Sequence, residues 1–185
     1  MIILAMASQQ TIAQGCVAIR SNGDYFFTDP PYGMPEDLEQ EIPFQGVYKA
    51  SGGQVKLLID SLTRPNGIAF MPGERTFIVA NSDPKKAIWY AFDLDGNDSV
   101  TNARIFYDAT ENAGSERGLP DGLKIDKQGN VFATGPGGVW IFDKSGKVLG
   151  RIKLPVATAN CALSSDEKTL FITADNYLLR LKMRA

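Results

Sequence analysis

No histidine occurs among the 185 residues of the chain. That excludes a Ser-His-Asp or Cys-His catalytic arrangement. It also excludes a zinc site built on histidine. Acid–base chemistry would fall to Asp, Glu, Lys, Tyr or a metal-bound water. A metal would meet oxygen ligands, which favours a hard cation such as calcium or magnesium. Only two cysteines are present, Cys16 and Cys161. Two are too few for a disulfide framework, and their spacing is not that of a metal pair. They are expected to be buried free thiols. No apolar run is long enough to span a bilayer. The opening MIILAMASQQTIAQG has an apolar start without a basic leader region. It is expected to be a divergent start, a degenerate secretion signal being the alternative. Charge of either sign is scarce in net terms, at −2. Nothing therefore points to nucleic acid or an anionic membrane surface as partner.

The chain does hold many short Val/Ile/Phe/Tyr runs, 18 Gly and 10 Pro. That pattern is all-β with many turns. It also repeats. GCVAIRSNGDYFFTDP starts at Gly15, NGIAFMPGERTFIVANSD at Asn66, DGLKIDKQGNVFATGPG at Asp121 and NCALSSDEKTLFITADN at Asn160. Each opens on a small or polar pair and continues as an alternating strand. A tight polar turn and a second strand follow. One or two outer strands come after each hairpin, and the last repeat has only YLLRLKM. Four short antiparallel strands per unit of about 40–50 residues mark a β-propeller. Residues 16–185 are assigned to about four blades, and residues 1–15 to the divergent N-terminal segment.

In a propeller the first strand of each blade lines the central channel. Gly15, Asn66, Asp121 and Asn160 are therefore expected at one mouth. The second-strand ends Asp29, Asn81, Gly135 and Asp175 should return to it. Converging carboxylates repel unless a cation sits between them. Asn-Gly and Asp-Gly are also ordinary turn pairs. Asn66 and Asp121 in one frame argue for more than a turn.

The strings SNGDYFFTDPPYG, RPNGIAF, LPDGLKIDKQGNVFATGPGGVWIFD and ANCALSSDEKTLFITA resemble the senescence marker protein 30 (SMP-30)/gluconolactonase family, its bacterial gluconolactonases in particular. The resemblance covers nearly the whole chain from about Val17. It implies a six-bladed propeller with one divalent cation at the channel mouth, calcium first, magnesium or zinc otherwise. By motif, Asn66 matches a metal-binding Asn. Asp121 matches a metal-binding Asp that also serves as general base. The implied reaction is hydrolysis of a sugar lactone to the aldonic acid. Tyr32, in the DPPYG loop over the mouth, and Asn160 are the expected substrate contacts.

Three departures stand out. No Glu precedes Glu36, where the family carries a metal-binding Glu in its first blade. Gly15-Cys16 replaces an Asn-Asp pair. Four repeats are present where the family has six. The chain is therefore expected to be an N-terminally truncated member whose open sheet edges favour self-association. A non-catalytic binding module is the competing reading, and phosphate-type ester hydrolysis would share the site. Free thiols fit the cytoplasm, while a lost leader would direct the intact protein to the periplasm.

Overall fold

The computed structural model describes residues 15–32 and 42–183. Most of the N-terminal segment and of the loop after Tyr32 lies outside them. Four antiparallel sheets follow one another along the chain, each in simple sequence order. The first holds β1 (Val17–Ile19), β2 (Tyr25–Asp29), β3 (Gly46–Ser51) and β4 (Gln54–Ile59). The second holds β5 (Pro65–Phe70), β6 (Thr76–Asp83), β7 (Lys86–Leu94) and β8 (Val100–Asp108). The third follows a single helical turn, α1 (Thr110–Ala113). It holds β9 (Leu123–Ile125), β10 (Val131–Gly135), β11 (Gly138–Phe142) and β12 (Val148–Lys153). The last has three strands, β13 (Thr158–Leu163), β14 (Thr169–Ala174) and β15 (Tyr177–Lys182). The innermost strands pack in order, β1 on β5, β5 on β9, β9 on β13. These are four blades of a β-propeller, as the repeats predict. Among the described residues no helix is long and apolar enough to cross a membrane.

Burial explains the stacking. A strand covered on both faces is apolar throughout, and one covered on a single face alternates. In the two middle blades the second strands are buried almost continuously, over Phe77–Ser82 and Val131–Gly135. In β2 and β14 of the end blades burial alternates. Along β6, Phe77 and Val79 face the first blade and cluster with its Phe26 and Val47 and with Ile68 of their own blade. Ile78 and Ala80 face the third and cluster with its Val131 and Phe142 and with Trp89 of their own blade. Phe132 and Val139 of the third blade then pack on Leu170 and Ile172 of the fourth. Each inter-blade layer is its own small core.

Side chains pin the ends remote from the mouth. Asp126 Oδ1 accepts the N–H of Gln128 (2.9 Å) and of Asn130 (2.8 Å), and Asp143 repeats this with Ser145 (2.8 Å) and Lys147 (3.1 Å). Such Asx turns fix hairpin register. Between the first two blades, Asp98 receives Arg20 at 2.7 Å, and Lys49 bridges Asp98 and Asp24. Lys49 first, with Ser51 and Asn22, pulls the Asp24 carboxyl down to about 2.

Candidate functional site

Backbone hydrogen bonds define which residues of the four blades are equivalent. Thr28 N–H donates to the Cys16 carbonyl, and Thr134 N–H donates to the Gly122 carbonyl. Thr28 Oγ1 then donates to Asn66 O of the next blade (2.6 Å), and Thr134 Oγ1 to Ala159 O of its next blade (3.2 Å). Both threonines are fully buried. Gly15, Asn66, Asp121 and Ala159 therefore share one position at the mouth. Cys16, Gly67, Gly122 and Asn160 share the next.

The structure places Asn66 and Asp121 at equivalent positions of neighbouring blades, and Asn160 one residue further along its strand. The ladder shifts register between Thr158 and Asn160, a bulge that re-aims the local side chains. Asn160 Oδ1 accepts the Cys161 N–H at 2.9 Å and the Lys124 ammonium at 3.4 Å. A comparable shift between Pro65 and Ile68 carries Asn66.

The glycines after Asn66 and Asp121 are set by close approach. A Cβ on Gly67 would collide with the Asp121 carbonyl, and one on Gly122 with the Asn160 side chain. The turn pairs of the sequence are thus contacts between neighbouring innermost strands. Gly67→Ala is expected to destabilise the chain by about 3 kcal/mol, the upper range of overpacking, since backbone must move. Urea unfolding measures this, and an unchanged midpoint would contradict the contact.

The Asn66 side chain is buried and favours the charged form of the neighbouring Asp121 carboxylate. Burial pushes that carboxyl up to about 6, against the opposing Gly122 N–H and Asn66 amide. Asn66 Oδ1 faces the Cys16 thiol, 3.7 Å away. Burial, then the Asp121 charge, raises the Cys16 thiol, while Lys124 opposes them. Cys161 is buried with its Sγ 3.2 Å from Phe132 O, and burial lifts it to about 11. Both thiols are free. Lys124 is the neighbour the motif reading passed over, and Cys16 entered it only as a departure from the family pattern. The signal for Cys16 was its alignment with Gly67 and Gly122.

Asp121 lines a cleft of ≈ 540 Å³ with Ser82, Glu116, Thr158 and Asp175. Tyr32 reaches the same rim, its phenol donating to Ser82 O at 3.2 Å. Asp29 is half-buried, and burial raises its carboxyl. Asn81 is not available. Its Oδ1 accepts the Arg64 N–H (2.8 Å), and its Nδ2 donates to Thr63 Oγ1 (3.0 Å) and Lys86 O (2.8 Å).

A cation fits the Asn66–Asp121 pair chemically, because a partly desolvated carboxylate held off its usual ionisation gains from a positive partner. The protein oxygens there are few beside the six to eight that calcium takes. Among the described residues no three His, Cys, Asp or Glu side chains cluster to hold a metal.

Known proteins resemble this chain in sequence and fold. The family model described as SMP-30/Gluconolactonase/LRE-like region matches residues 9–176. A gluconolactonase of Zymomonas mobilis is 36% identical over 173 residues, covering 88% of this chain and 48% of that protein. The chain thus spans about half the length of that relative. The solved structure of a gluconolactonase from Xanthomonas campestris superposes with a TM-score of 0.81 at 26% identity, over 97% of this chain and 61% of that one. A calcium-binding regucalcin from Agrobacterium tumefaciens has the same fold, with a TM-score of 0.68 at 21% identity, over 91% of this chain and 62% of that one. By its sequence and its blades, the chain belongs to the SMP-30/gluconolactonase/LRE-like family.

Proposed function

We propose that this chain carries the proton-transfer half of a metal-dependent sugar-lactone hydrolase, with Asp121 as general base and Asn66 and Asp121 as the cation's oxygen ligands. The observation that carries the reading is the half-buried Asp121 carboxyl at the lip of a cleft beside Asn66, which desolvation pushes up to about 6. A base works best when its pKa lies near the working pH. At neutral pH Asp121 is ionised and still basic enough to accept a proton.

The reaction adds water to the ring-ester carbonyl and breaks the ring carbon–oxygen bond. Asp121 takes the proton from the attacking water. It returns that proton to the departing ring oxygen, so the aldonic acid leaves and the carboxylate is restored. Asn66 favours the ionised form of Asp121 from the neighbouring blade. The two Thr clamps hold the Asn66 and Ala159 carbonyls, so the innermost strands keep their spacing. A bound divalent cation would polarise the carbonyl and ease deprotonation of water. Tyr32 donates its proton to Ser82 and keeps oxygen lone pairs to accept a sugar hydroxyl. The cleft volume falls in the range of small-molecule sites, about 300–1,000 Å³. The family relationship and the gluconolactonase relatives support the substrate class.

The test is acid release from gluconolactone followed at constant pH. Chelator should bring the rate down to the uncatalysed background, and added divalent cation should restore it. A background rate with every cation tried would overturn the reading for this chain.

A further inference from the structure

We propose that Arg151, on the outermost strand of the third blade, is a positioning residue for substrate binding, fastening the segment from Glu116 to Leu119 as one wall of the cleft beside Asp121. The inference rests on the reading of that cleft as the lactone site and names the residue that holds its wall.

Three features carry it. The first is where the segment lies. Residues 109–122 lead from β8, the outermost strand of the second blade, to β9, the innermost strand of the third. Glu116, Gly118 and Leu119 line the cleft together with Asp121. Residues 114–122 form neither helix nor strand, so no sheet ladder runs along them. Their backbone is tied to the third blade at Arg117, whose carbonyl accepts the Gly137 N–H at 2.8 Å, and at Asp121, whose N–H donates to Thr134 O at 3.1 Å.

The second is the clamp. Arg151 Nη1 donates to Glu116 Oε1 at 3.3 Å, and Nη2 donates to Glu116 Oε2 and to Pro136 O, the latter at 2.7 Å. Pro136 and Gly137 form the turn between β10 and β11. One guanidinium thus joins the cleft wall to the hairpin that seats Asp121. The ion pair lies directly on that turn. Gly137 has φ of +75°, and a Cβ there would strike both Glu116 Oε2 and Arg151 Nη2.

The third is how Arg151 itself is held. It is the cross-strand partner of Trp140, and its Cζ lies 3.8 Å from the ring centre. Trp140 belongs to the core between the second and third blades, and its Nε1 donates to the same Pro136 carbonyl at 3.0 Å. The Arg151 and Glu116 side chains are only 17% and 26% exposed, so solvent screens the pair less than a free surface pair. A planar fork fixes orientation as well as distance, which an ammonium cannot do. Ion pairs near the surface add little to stability. What this one fixes is the place of the wall.

The test is gluconolactone hydrolysis by the full chain with saturating divalent cation. Arg151→Gln should raise KM by about 10–100-fold, the cost of a misplaced binding wall. The kcat should fall by less than about threefold, because Asp121 keeps its own bond to Thr134. A merely structural role would do the reverse, lowering the folded fraction and so kcat while KM stayed fixed. Arg151→Lys keeps the charge and the stem, and should show a smaller rise in KM. In a Glu116→Gln background, Arg151→Gln should add less than about threefold, since both changes remove one contact. Calorimetry with gluconolactam, the ring analogue whose amide resists opening, reads the same wall without turnover. Its Kd should rise by the same factor as KM. Unchanged KM and Kd in both Arg151 variants, or full additivity with Glu116→Gln, would overturn the proposal. Wild type that bound the lactam without hydrolysing the lactone would leave the wall in place and overturn the role of Asp121. Wild type that did neither would overturn both.

Discussion

Trp89→Ala should remove about 4 kcal/mol of stability, within the usual cost of deleting a fully buried tryptophan. Domains of this kind hold only about 5–15 kcal/mol in total. The variant should therefore unfold at a much lower urea concentration than wild type, followed by far-ultraviolet circular dichroism. Trp89 lies on β7 with no exposed surface. Its ring meets Phe142 at 5.4 Å, Trp140 at 6.0 Å and Tyr107 at 6.3 Å between ring centres. Most of the layer joining the second and third blades is built on it. Its edge also sits against Gly135, where a Cβ would come within 2.7 Å of the indole. Gly135 follows Thr134, whose carbonyl accepts the Asp121 N–H. Loss of the indole thus loosens the strand that seats Asp121 as well as the core. Trp89→Phe separates these contributions. The indole N–H is buried and finds no partner among the described residues, and an unsatisfied buried donor costs about 1–3 kcal/mol. Phenylalanine keeps most of the ring contact and removes that donor. It should cost less than half as much as alanine. Equal losses for the two variants would mean that ring packing is not what Trp89 contributes.

Much of this architecture was legible in the chain because a propeller blade writes its own period. The hairpins of the four repeats, their polar turns and the three-stranded last blade all follow from alternation and turn residues. The pairing of Asn66 with Asp121 follows too, because each precedes a glycine forced by the neighbouring strand. The frame failed at Asn160. No glycine marks the position there, and matching Asn to Asn misses the bulge at Ala159 by one residue. A slip of one flips a side chain to the other face, which is why Asn160 turns to Cys161 and Lys124. Asn81 occupies its expected place, but its amide is spent on Thr63, Arg64 and Lys86. Hydrogen-bond partners between segments leave no periodic trace. Neither does the aim of the Cys16 thiol, which depends on how closely two blades approach.

Asp121→Asn should move activity and stability in opposite directions. Hydrolysis of gluconolactone should fall by about 10²–10⁴-fold, the usual contribution of a positioned general base. Stability should rise, but only over part of the pH range. In the folded chain burial pushes the Asp121 carboxyl up to about 6, whereas an unfolded aspartate titrates near about 3.9. Between those values the folded state binds more protons than the unfolded state. Stability therefore falls as pH rises through that window, and the loss is complete above it. With partial exposure discounted, the penalty at pH 8 is about 2 kcal/mol. Asparagine keeps the shape and removes the charge. With chelator present, the variant should melt ~4–8 °C above wild type at pH 8. Below pH ~4 both carboxyl populations are protonated and the two proteins should melt together. Saturating divalent cation should shrink the gap at pH 8 by stabilising wild type selectively, since a ligand that binds only the native state raises its apparent stability. A structural carboxylate would behave in the reverse way, losing stability when neutralised. A variant that melts lower at pH 8 would therefore place Asp121 among the contacts that hold the blades together, whatever it did to the rate.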